Sequence, residues 1–335
     1  MRAALTSLFL LAALSARAAT VTNIDVPGAQ FTYAESISPS GIVGGGYGPA
    51  TFDPCGQQCG FLRTPDGTFQ TFSVFDAYNA GVTAILDDGT SVGNYIKGHN
   101  TRGFARTPDG TVTDIFIHKA NTEMEGINTS GIALGNAFSS SRQDVFLRTP
   151  DGKIDILKMK GCGFASSAGI NAAGTVAGFC LHKDKGVGFL RTLDGKITIL
   201  KKRGWKNMGV SAIDDTGVVA GGYVDTKTGG EHGYIRDADG TYHSFELPGD
   251  NPVNTYIMAM TVVGGDRQIV GWLMARDGRD YGFIHHAEGS DEIFDVSGGH
   301  ASRSGTNVSG ISPSGVIVGY YFDDNLHPHG YIRTP

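Results

Sequence analysis

The sequence predicts an all-β protein, a seven-bladed β-propeller of four-stranded antiparallel blades, and two repeated motifs and their period support this prediction. Residues 60–67 read GFLRTPDG, and close copies recur to the end of the chain. A second motif, ISPSGIVGG at residues 37–45, precedes the first copy and recurs with it. The turn of the second motif returns about every 40 to 50 residues, which is the period of a propeller blade.

Seven repeats can be counted from either motif. Copies of the first are GFARTPDG at 103–110, DVFLRTPDG at 144–152, GFLRTLDG at 188–195, GYIRDADG at 233–240, GFIHHAEG at 282–289 and the truncated GYIRTP at 330–335. The turn positions of the second motif are Gly41, Gly89, Gly131, Gly174, Gly217, Arg267 and Gly315. The sixth repeat, with Arg267 and HHAEG, departs most from the others.

Each motif predicts a hairpin. In the TPDG turn at residues 64–67, Pro65 presets φ for a type I turn, Asp66 suits the next position, and Gly67 takes the left-handed conformation. The SPSG turn at residues 38–41 follows the same logic. The runs beside these turns are short and rich in β-forming residues, so one repeat contains four antiparallel strands.

The two ends of the chain predict how the ring closes. The last repeat stops at Pro335, before a fourth strand, while residues 22–28 resemble a fourth strand with no hairpin of its own. We expect the N-terminal strand to pair with the last blade, which removes exposed sheet edges, and we expect a monomer. The predicted blades are residues 30–75, 76–118, 119–159, 160–202, 203–250, 251–297, and 298–335 with 20–28.

Residues 1–19 have the pattern of a secretory signal peptide. A basic start is followed by an apolar run at residues 8–14 and by the small residues SARAA at 15–19. The apolar run is much shorter than the roughly 20 residues that span a bilayer. We therefore predict a single domain at residues 20–335 that is secreted, either extracellular or periplasmic, with no membrane span after signal removal. The net charge of −6 argues against nucleic-acid binding.

Four cysteines in a chain that is expected to be exported predict disulfides. Cys55 and Cys59 bracket one loop, and Cys162 and Cys180 flank a predicted hairpin, so two local pairs are the simplest arrangement. No other cysteine lies close in sequence to Cys55 and Cys59, and the nearest histidine is His99, which argues against zinc. The DADG segment at 237–240 lacks the downstream acidic ligand of a calcium loop. We expect neither a metal nor a cofactor.

The repeats resemble those of the HAF family of extracellular repeat proteins, whose units carry an I-N-x-x-G-x-x-x-G segment, a G-F-L segment and a D-G turn. Residues 127–135 and 170–178 match the first segment, HGY at 232–234 and 329–331 matches the second, and VPGA at 26–29 matches a frequent linker. The resemblance spans residues 21–335. It implies the repeat architecture and secretion, and it brings no catalytic motif to this chain.

A residue present in every repeat is most simply part of the scaffold. Six repeats share an arginine before the second turn, where the sixth has His285. A ring of six cations is one interpretation, but we expect each arginine to satisfy carbonyl groups or a carboxylate beside the turns. The arginines are Arg63, Arg106, Arg148, Arg191, Arg236 and Arg333.

Residues that differ between repeats are better candidates for function. The loops that enter each blade and those between its second and third strands should emerge on one face. Trp205 in the loop 201–206 is suited to stacking on a sugar ring, although covering a blade edge is the alternative. The candidate ligand-binding residues on this face are Arg203, Trp205, Asn251, His300 and Arg303.

An enzyme is the alternative. The chain lacks a G-x-S-x-G elbow, an H-E-x-x-H motif and a phosphate loop. Glu35 and Glu125 lie on predicted first strands and are candidates for a carboxylate pair in glycoside chemistry. The positions equivalent to Glu35 and Glu125 in the other five repeats hold Thr83, Ala168, Ser211, Thr261 and Ser309, so the acids are not part of the repeat.

The sequence thus predicts a secreted binding module that recognises an extracellular carbohydrate or another polymer through one loop face. The expected partners are an extracellular glycan or a cell-envelope protein. A polysaccharide-cleaving enzyme, either a glycoside hydrolase or a lyase, and a structural envelope protein are the alternatives.

Overall fold

The computed structural model describes residues 19–49, 58–75, 77–117, 120–139, 143–183, 185–246, 254–298 and 305–335. Most of the predicted signal peptide and several internal segments lie outside these ranges. Strands dominate the described residues. In chain order the strands are β1 (Thr20–Asn23), β2 (Ala29–Ile37), β3 (Val43–Pro49), β4 (Cys59–Arg63), β5 (Phe69–Phe72), β6 (Tyr78–Ile85), β7 (Ser91–Lys97), β8 (Asn100–Arg106), β9 (Val112–Ile115), β10 (Asn121–Ile127), β11 (Ala133–Phe138), β12 (Gln143–Arg148), β13 (Ile154–Ile156), β14 (Ala165–Ile170), β15 (Val176–His182), β16 (Lys185–Arg191), β17 (Ile197–Leu200), β18 (Trp205–Ile213), β19 (Val219–Asp225), β20 (Glu231–Arg236), β21 (Tyr242–Phe245), β22 (Asn254–Val263), β23 (Asp266–Met274), β24 (Asp280–His286), β25 (Asp291–Phe294), β26 (Gly305–Ile311), β27 (Ile317–Phe322) and β28 (Pro328–Thr334).

The strands form four-stranded antiparallel units in sequence order. Five units are separate sheets, β2–β5, β6–β9, β10–β13, β14–β17 and β18–β21. The remaining strands form one eight-stranded sheet, in which β22–β25 is one part and β26–β28 with β1 is the other. A single parallel bridge between Asp280 and Gly305 joins the two parts. The prediction of an all-β fold built from four-stranded antiparallel sheets is confirmed.

The N-terminal strand completes the last unit. β1 pairs antiparallel with β28, from Thr20 opposite Thr334 to Asn23 opposite Tyr331. The Ile24 amide continues the ladder by donating to the Gly330 carbonyl at 2.9 Å. No helix of the described residues is long and apolar enough to cross a membrane.

The hairpin turns have the predicted geometry. In the first unit the Thr64 amide donates to the Thr68 carbonyl at 3.0 Å, and the Gly67 amide donates to the Thr64 carbonyl at 2.9 Å. Gly67 adopts φ of 94°, a left-handed conformation that favours glycine. The Asp66 carboxylate closes the turn by accepting from the Thr64 hydroxyl and the Thr68 amide.

The first hairpin of the sixth unit differs from the hairpin that the comparison of the repeats predicted. Gly264 and Gly265 form a two-residue turn with φ of 57° and 93°, between Val263 and Asp266. Two consecutive residues with positive φ form a two-residue type I′ turn, which joins the two strands directly. Arg267 therefore lies within β23, opposite Val262, and the assignment of Arg267 to the turn position is wrong.

The repeated phenylalanines form the core between sheets. Phe61, Phe104, Phe146, Phe189 and Phe283 have no exposed surface. Leu62 of the first sheet packs in one buried cluster with residues of the second, including Phe104. The motif thus supplies the apolar contacts that hold neighbouring sheets together.

The repeated arginines act at the turns, as predicted, in four of the units. In these units the guanidinium donates to the carbonyl of the next residue at 3.2 to 3.4 Å, from Arg63, Arg106, Arg191 and Arg236. Arg333 instead forms an ion pair with Glu292.

Candidate functional site

A β-bulge interrupts the first strand of every unit. In β2, Ala34 lies opposite Gly45 and Ser36 lies opposite Gly44, so Glu35 has no partner across the ladder. The residue opposite the bulge is glycine for a steric reason, because a Cβ atom on Gly45 would lie 1.9 Å from the Tyr33 carbonyl oxygen. The bulged residues are Glu35, Thr83, Glu125, Ala168, Ser211, Met258 and Ser309.

The bulge corrects one equivalence from the sequence. Thr261 was aligned with Glu35 in the sixth unit, but the register shift lies between Ile257 and Ala259. Met258 therefore occupies the bulged position, and the alignment with Thr261 is wrong. The error has the same origin as that for Arg267, since the shorter Gly264–Gly265 turn changes the spacing within this repeat.

A cavity of about 290 Å³ lies where the first strands and their turns converge. Its lining includes residues from the first strands of six units and, in the unit β18–β21, from the turn after β18. Examples in chain order are Glu35, Thr83, Ile127, Ile170, Asp215, Ala259 and Ser309. Glu35 is part of this lining, whereas Glu125 is not, so the cavity does not unite the two predicted carboxylates.

Glu35 is a carboxyl group without a counterion. It has no hydrogen-bond or ion-pair partner among the described residues, and it lies against Gly81 of the second sheet. Desolvation by burial raises the pKa of Glu35 to about 8. A carboxyl group with this pKa is largely protonated at neutral pH, so it can donate a proton or a hydrogen bond.

Two tyrosines lie close to Glu35. The rings of Tyr33 and Tyr320 meet edge to face, with centroids 4.9 Å apart. Burial and then the nearby Glu35 raise the pKa of Tyr33, and burial is the main cause that raises the pKa of Tyr320 to about 12. Both hydroxyl groups therefore remain protonated at neutral pH.

Glu125 differs from Glu35 because it has a fixed partner. The Asn136 amide donates to Glu125 Oε1 at 2.9 Å, and Asn136 Oδ1 accepts from the Ser167 amide at 3.0 Å. Burial raises the pKa of Glu125, and the Coulombic effect of Glu123 adds to it, against the opposing hydrogen bond from Asn136. Glu125 thus belongs to a network that connects the third and fourth sheets.

Trp205 is packed within its own sheet. Trp205 is the first residue of β18 and lies opposite Asp225, so the prediction that it is a loop residue is wrong. Its ring stacks on Tyr223 with centroids 3.6 Å apart and an interplanar angle of 10°. Tyr242 meets it edge-on at 5.6 Å, and the Lys202 Nζ atom lies 4.4 Å from the ring centroid. These contacts restrict the surface that Trp205 offers to a ligand.

The other predicted ligand-binding residues remain predictions. Arg203 is an exposed residue in the turn that precedes β18. Asn251, His300 and Arg303 lie outside the described residues.

An open groove of about 380 Å³ separates β18 and β19 of the fifth sheet from β22 of the next. Tyr256 and Met258 line it and are 44% and 42% exposed. The Tyr256 ring stacks on Trp272, with centroids 4.2 Å apart, which fixes its orientation. Polar groups on the opposite wall come from Asn207, Tyr223, Glu231 and His232.

Sequence reasoning missed this groove, although a comparison of repeats contains a signal for it. Tyr256 lies two residues before the bulged residue Met258, just as Tyr33 lies two residues before the bulged residue Glu35 in the first unit. In the sixth unit Thr261 was aligned with Glu35 in place of the bulged Met258, so the equivalence of Tyr256 and Tyr33 was missed. Trp205 lies next to the groove, because it stacks on the lining residue Tyr223.

A second large cavity, of about 720 Å³, lies between the third and fourth sheets. Lys158, Met159 and the 44% exposed Phe164 line it. The disulfide Cys162–Cys180 links the segment between β13 and β14, which lines this cavity, to β15.

The cysteine prediction is confirmed for the pair Cys162 and Cys180. Cys59 is also disulfide-bonded, and its expected partner, Cys55, lies outside the described residues.

The sheet order and the converging first strands define an all-β, propeller-like protein. No family model and no curated protein matches the chain. Among solved structures, the chain is similar to a streptogramin B lyase, with a TM-score of 0.60, 12% identity, and coverage of 94% of this chain and 97% of the lyase. It is also similar to virginiamycin B lyase from Staphylococcus aureus, with a TM-score of 0.60, 14% identity and coverage of 95% and 99%. The chain is similar as well to the AfRom2 CNH domain, with a TM-score of 0.53, 12% identity, and coverage of 94% of this chain and 99% of that domain. At these identities the similarity concerns the fold alone.

Proposed function

We propose that this protein is a secreted, closed seven-bladed β-propeller of the HAF repeat type that binds an extracellular carbohydrate or a related polymer. The observation that carries the proposal is the exposed ring of Tyr256, held by Trp272 in an open groove. The disulfide Cys162–Cys180 is compatible with an oxidising compartment outside the cytoplasm, as is the signal pattern at residues 1–19.

Contacts between the first and last units support ring closure. β1 adds a fourth strand to β26–β28, and the next segment carries Ile24 and Val26 into a buried cluster. This cluster combines Phe61 of the first sheet with Val318 of the last. In a ring closed in this way, β1 covers the edge that β28 would otherwise expose.

The groove has the composition expected for carbohydrate recognition. Sugar rings present apolar C–H faces that pack on an aromatic ring, and hydroxyl groups that require directional polar partners. Tyr256 and Met258 provide the apolar surface, while Asn207 and His232 provide polar groups on the opposite wall. Tyr256 needs little ordering on binding, because the contact with Trp272 already holds its ring.

A glycan-array screen followed by calorimetry with the best ligand tests this function. The Tyr256→Ala variant should lose at least about tenfold in affinity, as expected for a central aromatic contact. Phe164→Ala is the matched control, because Phe164 is an equally exposed aromatic residue in a different cavity. Absence of any glycan ligand, or wild-type affinity in Tyr256→Ala, would contradict the proposal.

A polysaccharide-cleaving activity is the second candidate, because Glu35 combines a pKa of about 8 with the absence of a partner among the described residues. In this role the protonated Glu35 acts as a general acid towards a glycosidic oxygen in the cavity. Reducing-end release from a polysaccharide panel tests it. Activity should disappear in Glu35→Gln, and activity that survives in Glu35→Gln combined with Glu125→Gln would exclude both carboxylates.

A further inference from the structure

The sixth unit brings three potential metal ligands together at the end opposite its groove. The ligand atoms of Asp266, His286 and Glu288 lie within 4.8 Å of one another. Among the described residues, no other group of three or more His, Cys, Asp and Glu side chains has this spacing. Its position does not overlap the Tyr256 groove or the cavity that Glu35 lines.

The unusual hairpin of this unit creates the arrangement. In the other units the second strand begins at the residue opposite the repeated arginine or close to it, as Val219 does opposite Arg236. In the sixth unit Ile269 has that position, opposite His285, but β23 already begins at Asp266. The tight Gly264–Gly265 turn extends the hairpin, and the extension places Asp266 over the turn between β24 and β25.

Two further ligands occupy turn positions that hold other residues elsewhere. His286 stands where the first unit has Thr64, and Glu288 stands where it has Asp66. In the first unit these two residues hydrogen-bond to each other within the turn. In the sixth unit the histidine instead turns to Asp266, so the substitutions change the direction of the contacts as well as the residue types.

The geometry is preorganised around Asp266. His286 Nδ1 lies 2.7 Å from Asp266 Oδ2, and the Ala287 amide donates to Asp266 Oδ1 at 3.1 Å. Gln268 Nε2 also donates to Oδ2, at 3.2 Å. These outer contacts fix the first carboxylate in the way that supporting hydrogen bonds orient metal ligands.

We propose that Asp266, His286 and Glu288 form a binding site for a divalent transition-metal ion of the zinc type. One imidazole nitrogen and two carboxylates suit zinc, whereas calcium and magnesium prefer ligands that are all oxygen. Tetrahedral bonds of about 2.0 to 2.2 Å place ligand atoms about 3.3 to 3.6 Å apart. The ligand atoms here lie within 4.8 Å of one another, and His286 Nδ1 lies 2.7 Å from Asp266 Oδ2, so binding requires rotation of the exposed Glu288 and a small separation of His286 from Asp266. Three protein ligands leave a coordination position open for water.

Calorimetric titration of the tag-free protein with ZnCl2 tests the site, with CaCl2 and MgCl2 as comparison ions. The wild type should bind one zinc ion per chain at this site, in preference to calcium and magnesium. Glu288→Gln should weaken zinc binding at least about tenfold and His286→Ala should abolish it. Glu288 is exposed, so Glu288→Gln is the variant expected to fold normally, and thermal unfolding without metal checks this.

His243→Ala is the matched control. His243 also pairs with a carboxylate, Asp237 at 2.8 Å, but without a third ligand. This variant should retain the wild-type zinc affinity. The proposal is overturned if the wild type shows no stoichiometric zinc binding, if His286→Ala or Glu288→Gln keeps the wild-type affinity, or if His243→Ala removes the binding instead.

Discussion

Replacing Glu35 by glutamine should change how the stability of the protein depends on pH. Desolvation raises the pKa of Glu35 from 4.5 to about 8 in the folded protein. Between these two values the unfolded chain releases the proton while the folded protein retains it. The unfolded state therefore binds fewer protons, and the free energy of unfolding falls as the pH rises through this window. Glutamine has a similar shape and no titrating group, so Glu35→Gln should remove this contribution.

The pKa change sets an upper limit to the effect. The difference between 4.5 and about 8 corresponds to about 5 kcal/mol, at about 1.4 kcal/mol for each pH unit. Glu35 lines a cavity that admits solvent, which reduces the penalty for its charged form. We therefore expect Glu35→Gln to be similar to the wild type at pH 5 and more stable by about 2 kcal/mol at pH 8.5.

Urea unfolding followed by tryptophan fluorescence at several pH values measures the difference between variant and wild type. Taking this difference removes the pH dependence that both proteins share. Glu231→Gln is the control, because Glu231 is exposed and the substitution removes the same kind of charge. Parallel stability profiles for Glu35→Gln and the wild type from pH 5 to pH 8.5 would refute the argument that Glu35 is a desolvated acid.

Two further predictions concern the scaffold, and both use urea unfolding with a matched control. Gly221→Ala should lower stability by at least about 2 kcal/mol, because its Cβ would lie 1.9 Å from the Gly209 carbonyl oxygen, while Gly209→Ala, which meets open space, should cost less than about 1 kcal/mol. Ile24→Ala should cost about 2 to 4 kcal/mol because Ile24 is buried, and the exposed Val21→Ala should change stability by less than about 0.5 kcal/mol. Equal effects within either pair would contradict the corresponding explanation.

The repeats made the four-stranded units predictable, because each turn motif specifies its own hairpin locally. Pro65, Asp66 and Gly67 determine a turn from sequence alone, and Gly67 has the expected positive φ. The bulge was not predicted, although its glycine was visible in every unit. The reason for that glycine is a carbonyl group on the neighbouring strand, and sequence does not show this distance until the register is known.

The sequence prediction of the site was limited for a related reason. Trp205 was selected as a rare aromatic residue, but the residues that cover it, Tyr223 and Tyr242, come from other strands of the sheet. Tyr256 is exposed because its position faces a groove between two sheets, a property of packing that composition does not carry. Glu35 was selected with Glu125 as a candidate carboxylate because these acids are not part of the repeat, and the structure places Glu35, but not Glu125, in the lining of a cavity.

The sixth unit explains why departures from a repeat can indicate function. It keeps the elements that packing requires, since Phe283 is fully buried and Gly271 still lies opposite the bulge. It changes positions whose role in the other units is confined to local turns and exposed strand faces. Substitution there costs the fold little, so these positions can acquire ligand contacts without loss of the packing between sheets. The sixth unit supplies Tyr256 to the groove and all three residues of the Asp266 cluster. Tyr256 and Asp266 lie at opposite ends of the β22–β23 hairpin, so the tests of the two sites are independent.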